Sequence, residues 1–401
     1  MPRPALEVAQ IFRHHGPDYR KTQRLSPGQH QAMRDIERCR TVRLGGHVDT
    51  CSRGCGYLAI SYNSCRNRHC PKCQSLQQAK WLAQRLERLL PTQYFHLVVT
   101  LPHELNPLVL YHPETIFNLL FASVSGALLQ FARDYERLKA QVGFTAVLHS
   151  WDQALNLHPH LHLVVTGGGL SATGDRWIAA RNSFLLPVRA LSKIIRGKFL
   201  EGLQQAHQEG RLQGLADPVQ FQRFARKLSR KKWVVYAKGS FEASRNAYHY
   251  LSRYTHRVAI ANQRLVSLAD GKVSFRARDN SRPGHQRLVT LTAPEFIRRF
   301  LLHVLPPRFV KIRHYGLMAP GNVNTKLERA RALLSLKAPE ALQEPKAQEL
   351  DTPSAAHSWQ ERLRALSGVD LTICPNCGGR LLRHRLIGSA AIPVPVVWDS
   401  S

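Results

Sequence analysis

Acidic residues are scarce in this chain: 27 Asp and Glu stand against 57 Lys and Arg, a net charge of +30 over 401 residues. The isoelectric point is near 10.5. Such a surface repels itself and calls for a polyanionic partner and salt-sensitive binding. The excess runs along the whole chain rather than in one tail. Aromatics and folded-domain patterning accompany it, which favours nucleic acid over a membrane surface. Long apolar runs are lacking too: none is read as approaching the roughly 20 residues that span a bilayer. The opening residues, Met-Pro-Arg-Pro-Ala-Leu-Glu, have no apolar core and do not read as a secretory signal. A cytoplasmic setting with no membrane partner is therefore expected. There the eight cysteines read as metal ligands rather than disulfides. Internal repeats are also missing.

What is present starts with a cysteine-rich head. After a helix expected over residues 27–40 come Cys39, His47, Cys51, Cys55, Cys65, His69, Cys70 and Cys73. One pair is tight, Cys70-Pro-Lys-Cys73, and one looser, Cys51-Ser-Arg-Gly-Cys55. Zinc takes four thiolates or imidazoles in a tetrahedron, and short spacings place two ligands on one turn. These candidates suffice for two structural Zn²⁺ ions or for one four-cysteine ribbon. The pairing stays open, and His69 either serves a different ion from Cys70 or is not a ligand. Arg66, Arg68 and Lys72 lie inside this knuckle and are candidates to meet DNA phosphates. Near the other end, Cys374-Pro-Asn-Cys377 is half a zinc site, with His357 or His384 as candidates to complete it.

The middle of the chain reads as strand, helix, strand, strand, helices, strand. Strands are expected over 94–101, 144–151, 160–166 and 233–238, and helices over 114–135, 188–208 and 218–230. That is the split βαββαβ order, an α+β, ferredoxin-like antiparallel sheet with helices on one face. In it the first and third strands lie side by side at the centre. The third carries His158-Pro-His160-Leu-His162-Leu-Val-Val-Thr-Gly-Gly-Gly169. Period-two alternation turns His160 and His162 to one face and Leu161 and Leu163 to the other. Two imidazoles on a rigid strand suit a divalent metal ion; a hydrogen-bonded pair is the plainer alternative.

A helix follows over 241–255. Tyr250 and Tyr254 are four apart and share a face, with Arg253 and Arg257 repeating the spacing beside them. An aromatic stripe packed on the sheet is the plainer alternative. Tyr248 sits about 200° from Tyr250 around the helix and is assigned to packing. Residues 336–358, rich in Pro, Ala, Gln and Glu, read as a linker. The domains expected are thus 1–90 for zinc binding and DNA recognition, 91–335 for a catalytic domain, 336–360 for a linker and 361–401 for the last CxxC module.

Four stretches together resemble the rolling-circle transposases of the insertion sequence 91 family, within the HUH endonuclease superfamily. They are Tyr62-Asn-Ser-Cys-Arg-Asn-Arg-His-Cys-Pro-Lys-Cys73, Phe95-His-Leu-Val-Val-Thr-Leu-Pro-His-Glu-Leu-Asn106, His158 to Gly169, and Tyr248 to Ile260. The resemblance implies an HUH endonuclease fold with an N-terminal zinc-binding module. It implies that His160 and His162 hold a catalytic Mg²⁺ or Mn²⁺, with a third ligand among His103, Glu104, His249 and His256. Tyr250 and Tyr254 would be the two nucleophiles, forming a covalent 5′-phosphotyrosine, and Arg253 and Arg257 would bind phosphate. The implied partner is single-stranded DNA at the element's termini and target. Two rivals remain: a replication initiator or relaxase with the same chemistry, and a zinc-dependent nucleic-acid-binding protein without catalysis.

Overall fold

Helix starts in this chain are written in capping residues. Ser26 accepts from the Gln29 backbone N–H while the Gln29 side chain accepts from Ser26, and Pro27 opens the helix; both choices satisfy or remove orphan first-turn donors. The same reciprocal box joins Glu7 and Gln10 ahead of the first helix.

In chain order the elements of the computed structural model are α1 (Val8–Thr22), α2 (Pro27–Arg38), β1 (Gly46–Cys51), β2 (Leu58–Tyr62), α3 (Ser75–Leu86), β3 (Tyr94–Thr100), α4 (Asn106–Tyr111), α5 (Pro113–Asp134), β4 (Gln141–Trp151) and β5 (Leu157–Leu170). There follow β6 (Trp177–Ala179), α6 (Val188–Gln208), α7 (Pro218–Arg230), β7 (Val234–Lys238), α8 (Ser244–Thr255), β8 (Leu265–Ala269), β9 (Lys272–Arg278), β10 (Gln286–Thr292), α9 (Ala293–Leu301), β11 (Ile312–Gly316), α10 (Glu328–Ser335) and β12 (Leu381–Leu386). The structure describes residues 4–180, 185–215, 217–239, 241, 244–255, 259–279, 281–282, 284–336, 361, 364, 368 and 370–386.

Contacts divide the chain into two units, and neither is a continuous segment. One comprises Met1–Ala79, Ile260–Leu301 and Asp351–Ser401; the other comprises Lys80–Ala259 and Leu302–Leu350. This differs from the consecutive domains expected from the sequence. The reason is strand pairing: β12 lies antiparallel to β1, Cys51 opposite Leu381 and Gly46 opposite Leu386. No local pattern reports a pairing over such a separation.

The first unit holds two three-stranded sheets, β12-β1-β2 and β10-β9-β8. Val273, Phe275 and Ala277 alternate inward along β9, and α9 buries Phe296, Ile297, Phe300 and Leu301. The ring of Phe300 meets that of Phe12 on α1 edge-on at 5.3 Å.

In the second unit one sheet has the order β11-β4-β5-β3-β7, with β6 against the end of β5. Every neighbouring pair is antiparallel. β3 and β5 lie side by side as expected, and β11 adds a strand outside β4. Leu97, Val99, Phe144, Ala146, Leu148, Leu161 and Leu163 point to one face and form a core with α5, α6 and α7. Val147 and Val164 point to the other face, where Ala247, Tyr248 and Leu251 of α8 cover part of the sheet.

α5 corrects one expectation. Its 22 residues, with a mean hydropathy of 1.6 in the most apolar window, are long and apolar enough to cross a membrane. Its apolar side chains already have partners, however. Ile116, Phe117, Leu120, Phe121, Val124 and Leu128 are buried on the sheet, each stabilising the fold by about 1.5–3 kcal/mol. A core helix covered on one face by a sheet can be nearly as apolar as a spanning one.

Candidate metal centres and active site

The histidine site is built by strand register. Asp152 accepts from the backbone N–H groups of Ala154 and Asn156, both at 2.8 Å, and fixes the loop between β4 and β5. That loop sets His149 on β4 directly opposite His160 on β5, and Val147 opposite His162. On the other side Val98 of β3 faces His162. The end of β5 is locked by close packing: a Cβ on Gly168 or Gly169 would lie 2.4 or 2.3 Å from a neighbouring carbonyl oxygen. The glycine run of the motif therefore lets three strands approach.

His149, His160 and His162 form one group, with ligand nitrogens all within 4.8 Å of one another. The Nε2 atoms of His160 and His162 are 3.1 Å apart. His160 Nδ1–H donates to the His158 carbonyl at 2.7 Å, which leaves its Nε2 lone pair facing the group. His162 Nδ1 lies 2.9 Å from His96 Nε2, and the two rings stack at 5.2 Å. Burial pushes the His160 pKa down to about 4. Burial, then the neighbouring His149, His160 and His96, hold His162 well below the ordinary range. His160 and His162, kept neutral by burial, and His149 within 4.8 Å of them can offer nitrogen lone pairs to one divalent cation.

The first tyrosine packs beside this group, against His96. The Tyr250 ring sits 4.9 Å from His96, edge to face, and 5.8 Å from Phe241. Tyr248 does not: it is 2% exposed, its hydroxyl is 3.3 Å from Thr145 Oγ1, and its ring packs against Tyr94. Tyr254 lies on α8 one turn beyond Tyr250, and Arg253 precedes it on the same helix. The side chains of both, and all of His256 and Arg257, lie outside the described residues. Among the expected third ligands, exposed His103 pairs with Glu104, Glu104 meets Lys231 at 2.5 Å, and neither they nor His249 belong to the group, which His149 completes. Sequence reasoning missed His149 and His96. Each lies on a strand that was expected, and extending the alternation from Val147 and Val98 places both on the His162 face; only the register was lacking.

Eight sulfurs form two further groups, both in the first unit. Cys39, Cys65, Cys70 and Cys73 make one; Cys51, Cys55, Cys374 and Cys377 make the other. Sγ distances of 3.1 and 3.5 Å run from Cys73 to Cys39 and Cys65, and 3.3 and 3.5 Å join Cys51 to Cys377 and Cys55 to Cys374. These are far beyond a bonded S–S length of about 2.05 Å and fit thiolates crowded round one ion. A hydrogen bond from the Arg53 backbone N–H is the first cause that brings the Cys51 thiol down to about 6. The CxxC at Cys374 is thus completed by Cys51 and Cys55 rather than by a histidine. His384 bonds Thr50 instead, and His357 lies outside the described residues. His47 lies 4.0 Å from Asp49 and His69 bonds Asn67; neither is in a sulfur group. Arg383 forks onto Asp49 at 2.7 and 3.0 Å beside the second group.

The basic candidates of the knuckle differ in access. Arg66 is exposed, Arg68 half-buried, and Lys72 is held by Glu7 at 2.5 Å. A groove of about 470 Å³ between α1 and α2 adds Arg13, Arg20, Arg34, Arg38 and Arg43 around Glu37.

Comparisons with known proteins agree with this layout. The family described as "Transposase zinc-binding domain" matches residues 11–101, and that described as "Putative transposase" matches residues 143–326. The chain is 43% identical over 411 residues to "Putative transposase y4qJ" of Sinorhizobium fredii (strain NBRC 101917 / NGR234), covering 100% of both. It is 26% identical over 383 residues to the "Transposase for insertion sequence element IS801" of Pseudomonas savastanoi pv. phaseolicola, covering 90% of this chain and 86% of that one. No solved structure matches it. The zinc-domain match and the two four-sulfur groups together support bound Zn²⁺ in the head. With two transposase family models on one chain and a full-length relative of this identity, the chain belongs to the insertion sequence 91 family of transposases.

Proposed function

We propose that this transposase nicks and rejoins single-stranded DNA at the ends of its element, through Tyr250 and Tyr254, in rolling-circle transposition. The observation that carries the reading is the placement of Tyr250 against His96, which is itself bonded to His162 in the three-imidazole group. The strand order of the second unit supports an HUH endonuclease fold of the ferredoxin-like kind. The family membership favours a transposase over a replication initiator or relaxase.

His149, His160 and His162 would hold Mg²⁺ or Mn²⁺. When bound, such an ion withdraws charge from the phosphate oxygens and orients the strand. The chain supplies the rest. The Tyr250 oxygen forms a bond to the scissile phosphorus, the bond from phosphorus to the 3′ oxygen breaks, and the tyrosine's proton is given up as the 3′ oxygen gains one. A 5′-phosphotyrosine and a free 3′-hydroxyl result. One phosphodiester replaces another, so rejoining by that hydroxyl needs no ATP. Tyr254, one helical turn on, would take the second end while the first is held.

The test is incubation with labelled single-stranded terminal DNA and Mg²⁺ or Mn²⁺, followed by a denaturing gel. A covalent adduct that survives in Tyr250→Phe and in Tyr254→Phe and vanishes in the double variant is expected. No adduct from the wild type, or one that persists in the double variant, sinks the reading and leaves a zinc-dependent DNA-binding protein.

A further inference from the structure

α7 is amphipathic in an unusual way. Phe221 and Leu228 are buried and Phe224 and Ala225 pack beside them on the sheet's helix-covered face. On the opposite side Arg223, Arg226, Lys227 and Arg230 are all exposed. With Lys231 they line a groove of about 430 Å³ that contains no acidic side chain. Lys231 pairs with Glu104; among the described residues no acidic partner is paired with the other four.

This stripe is costly to the fold. Arg223 and Lys227, and Arg226 and Arg230, are like charges four apart within α7, where such pairs destabilise a helix. The helix dipole favours cations only in the last turn, so it accounts for Lys227 and Arg230 but not for Arg223 and Arg226. A polyanion lying in the groove relieves the repulsion. The exposed face carries no aromatic ring, since both phenylalanines of α7 turn to the core. Single strands are held on aromatic platforms, whereas a duplex presents its phosphates and keeps its bases inside.

We propose that the exposed face of α7 is a second DNA-contact surface, turned away from the histidine face, that binds the phosphate backbone of duplex DNA flanking the single-stranded substrate. The inference rests on the family's DNA partner and not on the nicking chemistry.

The test uses the full chain with its zinc retained and no Mg²⁺ or Mn²⁺ added, so that binding is read without cleavage. Two labelled probes are compared across a salt series: a single-stranded terminal oligonucleotide, and the same strand carrying a duplex flank. In the Arg223→Gln, Arg226→Gln, Lys227→Gln, Arg230→Gln variant, affinity for the duplex-flanked probe falls tenfold or more. Its log–log salt slope drops by about 3 to 4, roughly 0.9 per lost phosphate contact. Affinity for the single strand stays within about twofold, and the melting temperature does not fall. Equal losses on both probes, or an unchanged slope on the flanked probe, overturn the proposal. Lysine footprinting of the wild type guards against misfolding of the variant: the duplex-flanked probe protects Lys227 from acetylation and the single strand does not. Equal labelling with and without the flank also overturns it.

Discussion

The sulfur groups gather their ligands from turns and from opposite ends of the chain, whereas the histidine group gathers its ligands from neighbouring strands of one sheet. Four thiolates fill a tetrahedron and close it, as structural zinc sites do; three imidazoles round the proposed cation would leave positions for phosphate oxygens or water, as open metal sites do. The second sulfur group ties Cys51 and Cys55 to Cys374 and Cys377, so its bond energy is folding energy for a discontinuous unit. The histidines sit on a sheet that is stable for other reasons, with Leu161 and Leu163 fully buried behind them. Losing a sulfur should therefore unfold structure, and losing an imidazole should stop chemistry.

The largest effect is expected at the shared sulfur group. Cys374→Ser with Cys377→Ser should halve the zinc content, from about two ions per chain to one. It should also lower the thermal midpoint of the head sharply, since structural zinc contributes roughly 10–16 kcal/mol of apparent binding energy. Metal analysis and calorimetry read both, and an unchanged zinc content would erase the contrast drawn above. Next comes His149→Ala. Covalent adduct formation should fall about 10²-fold or more, in keeping with the loss of a metal ligand or its support, while DNA binding stays within about twofold. A loss of binding and melting temperature instead would assign His149 to structure.

The pH response separates the regions further. His303 is buried between Ser150 and the Leu155 carbonyl, and burial holds its pKa down at about 4; His160 is held at the same value. A depressed histidine binds fewer protons folded than unfolded, so stability is lost as pH falls from about 6.5 towards about 4. Between pH 7 and 5 each such group should cost about 2 kcal/mol. Urea melts of the zinc-loaded protein with no Mg²⁺ or Mn²⁺ added, at pH 7 and 5, measure this, and His303→Gln should reduce the loss by about one histidine's share. A flat profile would contradict the burial of these rings. The smallest effect belongs to Tyr248→Phe. It removes one hydroxyl contact to Thr145, worth about 1 kcal/mol, and should leave adduct formation intact. A lost adduct would make Tyr248, not Tyr250, the working residue.

Much of this was legible in the chain. The βαββαβ order followed from periodicity, and with it the pairing of the Tyr94 and His160 strands. Alternation alone turned His160 and His162 to one face. Helical phase separated Tyr248 from Tyr250, and the structure buries the former and sets the latter beside His96. His149 and His96 stayed hidden because a ligand on a neighbouring strand is defined by register, which depends on loop geometry such as the Asp152 turn. The partner of Cys374 stayed hidden for the same reason at greater range.

The sequence by itself determined the chemistry on offer: a basic chain, sulfurs in tight pairs, a His-Leu-His strand and tyrosines one turn apart. Those are set by residue type and local period, which need no knowledge of the fold. The tertiary structure alone decided which of these groups meet. It placed His149 across from His160, set Tyr250 on the ring that supports His162, and closed the head's second sulfur group with the far end of the chain. Strand pairing and hydrophobic burial make those choices, and both act between residues that sequence distance keeps apart.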